Sequence, residues 1–150
     1  MSNGSGVRCL PTVKFKKLRE DAILPTYSTR GSAAADVYAL EDTFIGHSQR
    51  TLIPLGFACA VPEGYALLVC SRSGLALKEG LIVANQPGII DSDYRGEVGV
   101  ILYNTGGITC VKKGQRIAQL LLIKTDPMGI QVVDELDETG RTGGFGSTGS

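Results

Sequence analysis

The sequence predicts an all-β sandwich or closed barrel. Three observations carry that reading. Short apolar runs recur along the chain, many of them are rich in β-branched residues, and Gly or Pro turns separate them. At 150 residues, with 43% hydrophobic side chains, the chain suits one domain, 1–150, with a real core rather than a disordered polymer. In order, the strand candidates are "TVKFKKL", "ADVYAL", "TLIPLGFACAV", "YALLVC", "LIVAN", "GEVGVILYN", "GITCV", "RIAQLLLI" and "IQVVDEL". The segments "VPEGY", "NQPG" and "NTGG" supply turns between them. One stretch after Arg72, "SGLALKEGL", is the best helix candidate, and it is short and carries Gly80. Residues 1–8 and about 137–150 read as mobile arms on that body.

Charge and cysteine usage narrow the function classes. Fifteen Lys and Arg balance fifteen Asp and Glu, so no basic excess tracks a nucleic-acid backbone. No apolar run approaches membrane-spanning length and "MSNGSGVRCL" lacks a signal core. A soluble, intracellular and cytoplasmic protein is expected, with the nucleus not excluded. Cys9, Cys59, Cys70 and Cys110 form no Cys-x-x-Cys pair and are expected as reduced thiols in β-segments. The single histidine, His47, sits in polar "GHSQR", as a surface residue would.

Polar chemistry concentrates in three places. "NQPGIIDSDYRGEVG" (85–99) places Asp91 and Asp93 in alternation: on a strand they would share a face and suit a metal or a general base, while in a turn they are ordinary Asx residues. "CSRSGLALK" brings together an arginine fork, a hydroxyl and free N–H groups at Arg72, Ser73 and Gly74. That set suits a phosphate, and its bland counterpart is a β-to-helix connection with Ser73 as N-cap. In "KKGQRIAQLLL", Gln119 enters a run of leucines and requires a partner. The glycine-rich end "TGRTGGFGSTGS" also spells Gly-x-Gly-x-x-Gly at 144–149, but without the strand and helix a dinucleotide fingerprint needs. Its free amides, with Arg141, Ser147 and Thr148, can still face an anion.

Taken together and in order, five segments carry a family likeness: "GSAAADVYA", "SRSGLA", "PGIIDSDYRGEVGV", "GQRIAQL" and "GRTGGFGSTG", spanning 31–149. The chain resembles the homotrimeric deoxyuridine triphosphate nucleotidohydrolases, the dUTPases. The resemblance implies a jelly-roll-like β-barrel and a homotrimer whose C-terminal arm crosses to a neighbour, so that each active site draws on three chains. It implies hydrolysis of dUTP to dUMP and pyrophosphate, keeping uracil out of DNA and supplying dUMP for thymidylate synthesis. Mg²⁺ rides on the triphosphate, with Asp36 near its water shell rather than ligating it.

By the same resemblance Asp91 activates the water for in-line attack at the α-phosphorus, and Tyr94 packs beneath the deoxyribose. Uracil pairs with main-chain groups around Asn85, Gly88, Ile89, Ile90, Asp91 and Gly99. Arg72, Ser73, Gly74 and Gln119 contact phosphates. Phe145 stacks on uracil beside Gly146, while Arg141, Ser147 and Thr148 reach the outer phosphates. Nucleic acid and membrane are not expected partners.

The chain departs from the family pattern at four points. Ala34 replaces a usual glycine, Ser71 a common proline before the arginine, and Gln115 the aspartate before Arg116. Arg141 stands four residues before Phe145, one fewer than the family's usual spacing. Three other readings compete. A dCTP deaminase would share the barrel but needs a proton-shuttling glutamate. A nucleotide-sensing trimer that has lost catalysis sits poorly with intact Asp91, Arg72 and Gln119. A purely structural jelly-roll leaves the motif order unexplained.

Overall fold

A computed structural model describes residues 9–147 and 149. Among the described residues, ten strands and one helix follow one another: β1 (Lys14–Lys17), β2 (Ala35–Tyr38), β3 (Thr43–Ile45), β4 (Arg50–Ala60), β5 (Tyr65–Cys70), α1 (Ser73–Glu79), β6 (Leu81–Val83), β7 (Gly88–Ile90), β8 (Glu97–Asn104), β9 (Thr109–Val111) and β10 (Arg116–Lys124). They pair as two four-stranded sheets, β1-β4-β8-β6 and β2-β10-β5-β7, with β3 and β9 as a separate ribbon. Every pairing between named strands is antiparallel, and the sheets share one apolar core in a jelly-roll-like arrangement. The all-β expectation holds.

Strand periodicity explains which faces are buried. Along β8, Val98, Val100, Leu102 and Asn104 point inward, while Gly99, Ile101 and Tyr103 take the other face. β4 begins with the same alternation and then buries five residues in succession, Leu55 to Cys59. The cause is a register shift against β8 between Pro54 and Ala58. Gly56, at φ +74°, sits in that bulge, where a Cβ would lie 2.9 Å from the Ala22 Cβ. Its carbonyl accepts from the amides of both Leu18 and Arg19, and Glu97 Oε1 accepts its N–H at 3.1 Å. Beside it, Phe57 is fully buried and meets Phe15 edge-to-face at 5.4 Å.

Buried Asn104 satisfies its amide completely: Nδ2 donates to the Ile45 and Gly107 carbonyls and Oδ1 accepts from Gly106. All four cysteines are free, and exposed His47 donates from Nδ1 to the Gly106 carbonyl at 2.7 Å. No helix among the described residues is long and apolar enough to cross a membrane.

One local expectation is corrected and two open alternatives are decided. "IQVVDEL" forms no strand, because no sheet edge of this chain lies beside it; Ile130, Val132 and Leu136 are left exposed. Asp91 and Asp93 do not share a strand face, since β7 ends at Ile90 and the chain turns there, with the Tyr94 amide donating to the Asp91 carbonyl. Ser73 is not an N-cap: Arg72 takes that position in extended conformation without a side-chain cap bond, and Ser73 is the first helical residue. The expected Gly80 ends α1 in the left-handed region, its N–H donating to Ala76.

On the surface, Lys113 and then Arg19 hydrogen-bond Asp21 and hold its carboxyl down from 3.8 to about 2. A depressed folded value means the pairing stabilises the fold above pH 3.8 and is lost as pH falls toward about 2. Lys113→Ala should therefore raise the titration midpoint of Asp21 by NMR; an unmoved midpoint would exclude the pair.

Candidate active site

The turn between β7 and β8 bridges the two sheets, because β7 pairs with β5 in one and β8 with β4 in the other. A cavity of about 420 Å³ opens where it crosses. Asn85, Gly88, Ile89, Ile90, Asp91, Tyr94 and Gly99 line it, together with Glu97, Val98, Ile101, Leu52, Pro54 and Val69. Seven residues expected around a base and sugar thus meet in one place. The main chain runs close at both glycines: a Cβ on Gly88 would lie 3.1 Å from the Val69 Cβ, and one on Gly99 2.7 Å from Leu52 Cδ1, so either addition would press on its neighbour. The Tyr94 hydroxyl donates to the Glu97 carbonyl at 2.9 Å, which fixes its ring across the turn. Arg95 closes the turn by donating to the Ser92 and Tyr94 carbonyls. Exposed Asp91 follows β7 directly, at the mouth of this frame.

A second cavity of about 420 Å³ is built by strand register. Gln119 on β10 stands opposite Asp36 on β2 and opposite Cys70 on β5, a row across three strands that shares one face. Beyond Cys70 the chain leaves the sheet and starts α1, which brings Arg72, Ser73 and Gly74 to the same opening. Asp36, 6% exposed, is held from three sides: Arg72 Nε donates at 3.0 Å, the Ser28 hydroxyl at 2.8 Å, and Arg116 reaches at 3.5 Å. A buried carboxylate so bonded is a firm anchor for Arg72, whose Nη1 also donates to the Arg116 carbonyl at 3.4 Å, leaving Nη2 to turn toward an anion. The polar Gln119 finds the partner it required, donating to the Ser71 carbonyl at 3.1 Å.

The third group stands apart. Arg141, Phe145, Gly146 and Ser147 are exposed on the C-terminal segment, with Phe145 fully open to solvent, and none of them lines either cavity. Thr148 lies outside the described residues. The site residues therefore fall into three separate clusters on one chain.

Several contributors escaped the sequence. Ser28 is a loop serine until the Thr26–Asp36 bridge folds it against Asp36. Glu97 and Cys70 had only their neighbours in sequence to mark them. Ser71 and Gln86 were visible, one as a departure and one within the polar cluster, but their mutual bond was not.

A family model described as dUTPase matches residues 20–149. The chain belongs to the dUTPase family. A deoxyuridine 5'-triphosphate nucleotidohydrolase of Treponema denticola is 48% identical over 139 residues, covering 90% of this chain and 96% of that one. In structure, a variant of the Staphylococcus bacteriophage 80alpha dUTPase solved with dUpNHpp superposes with TM-score 0.85 at 25% identity, covering 93% of this chain and 99% of that one. The dUTPase of phage phi11 of S. aureus, described with a structural Mg(II) ion, shares the fold at TM-score 0.78 and 23% identity, covering 85% and 99%.

Proposed function

We propose that this dUTPase-family chain hydrolyses dUTP to dUMP and pyrophosphate, with Asp91 as the base. The observation that carries the proposal is the first cavity, where Asp91, Tyr94 and the close-set main chain at Gly88 and Gly99 face one space. Main-chain donors and acceptors in fixed order favour uracil, because a cytosine would leave buried groups unpaired. The Tyr94 ring beneath the sugar leaves no room for a 2′-hydroxyl. Asp91 takes the proton of a water whose oxygen attacks the α-phosphorus. The bond to the bridging oxygen breaks, and pyrophosphate leaves in line. Arg72, Ser73, the Gly74 amide and Gln119 stabilise charge on that departing group.

Mg²⁺ fits the donor set of the second cavity as a passenger on the substrate. Asp36 is the single carboxylate lining it, beside the Ser28 and Ser32 hydroxyls. Such a set suits a cation that keeps its waters and binds phosphates, with Asp36 and its hydroxyl neighbours holding the water shell. When bound, the cation supplies positive charge against the triphosphate.

The separation of the clusters supports a homotrimer in which chains complete one another's sites. The exposed Ile130, Val132 and Leu136 give the C-terminal segment an apolar edge to dock on a neighbour, carrying Phe145 to the base and Arg141, Ser147 and Thr148 to the phosphates. The deciding experiment measures pyrophosphate release from dUTP, dTTP, dCTP and UTP with and without Mg²⁺. Preference for dUTP by about a hundredfold or more, dependent on Mg²⁺, is expected. Ammonia released from dCTP would replace this reading with a deaminase.

A further inference from the structure

Ser71 stands where proline is common in the family, and the exchange changes what the backbone can bond. Proline has no N–H to give. Ser71 uses three groups at once: its N–H donates to Gln86 Oε1 at 2.6 Å, its hydroxyl accepts from the Val83 N–H at 2.8 Å, and its carbonyl accepts from Gln119 Nε2 at 3.1 Å. The three partners belong to different parts of the site. Gln86 stands between Asn85 and Gly88, both in the wall of the first cavity. Gln119 lines the second cavity. Val83 ends β6 in the opposite sheet and is 2% exposed, so its N–H would go unpaired without this hydroxyl. The next residue in the chain is Arg72, which grips Asp36.

We propose that Ser71 is a positioning residue that couples the base cavity to the phosphate cavity. The Ser71 N–H holds Gln86 and the following peptide leads to Arg72, so a rotation at Ser71 displaces the hairpin wall and the arginine fork together. Ser71 itself touches no substrate. The inference rests on the dUTP reading above, in which those two cavities hold the two ends of one class of nucleotide.

The test compares Ser71→Pro, Ser71→Ala, Ser71→Thr and Gln86→Leu by kinetics on dUTP and dCTP, by melting and by amide hydrogen exchange. Ser71→Pro and Gln86→Leu should each raise KM for dUTP about three- to tenfold and lower the preference over dCTP similarly, the range expected from losing a hydrogen bond, while kcat moves less. The double variant should be no worse than Ser71→Pro, because a single bond joins the two residues. Ser71→Thr keeps all three groups and should recover most of the loss. Lower melting with KM and preference within about twofold of the original would make Ser71 merely structural and overturn the proposal, as would additive losses in the double variant.

Should the unaltered chain hydrolyse no dUTP, the functional reading fails, and exchange still tests the coupling. Ser71→Pro should speed exchange at Ala76, whose N–H donates to the Arg72 carbonyl, and also at Gly88 to Ile90. A change confined to residue 83 would overturn it.

Discussion

Asp91→Asn lowers kcat for dUTP by at least about a hundredfold while a non-hydrolysable dUTP analogue still binds; this is the effect expected when a general base is removed and the pocket is left intact. The asparagine is nearly isosteric and keeps an oxygen at the cavity mouth, but it cannot take a proton. The side chain is exposed and the backbone around it is fixed independently, by the Asp91 carbonyl accepting from Tyr94 and by Arg95 closing the turn. Melting should therefore stay where it was. Near-unaltered turnover would remove Asp91 from the chemistry, and loss of analogue binding would assign it to the pocket instead.

Deleting residues 140–150 abolishes turnover and leaves melting largely unchanged. The described side chains of that segment are exposed and add nothing to the core, so their removal costs little folding energy. What disappears is the proposed cover over the nucleotide, and with it water exclusion and contacts to the outer phosphates. Because the chain has no tryptophan, Phe145→Trp makes the same segment visible. Its fluorescence should change on adding the analogue, and the short step from Arg141 to Phe145 can then be tested by inserting one residue before Gly143. A signal indifferent to nucleotide would separate the arm from the base.

Much of this architecture was legible locally. The alternating run "GEVGVILYN" became β8, because period-two patterning follows from the pleat itself, and the continuous apolar run "RIAQLLLI" became β10. Where pairing rather than patterning decides, the local signal failed. β3 and β7 have only three residues each, and they are strands because β9 and β5 lie beside them. "IQVVDEL" has the composition of a strand but no neighbour in its own chain. The alternation of Asp91 and Asp93 left a strand face and a turn both open, and the end of β7 at Ile90 decided for the turn.

By itself the sequence determined the class of fold, the order of the five motifs and the chemical character of each: aspartate strand, arginine turn, hairpin with carboxylate, glutamine strand, glycine-rich arm. Those properties reside in neighbouring residues and need no folding to be read. Only the tertiary structure decided that Gln119, Asp36 and Cys70 form one row, that Asp36 is gripped by Arg72 and Arg116, and that Ser71 joins three segments. Each of these depends on strand register between distant parts of the chain. A one-residue slip would turn every such side chain to the opposite face, and no local pattern records which register wins.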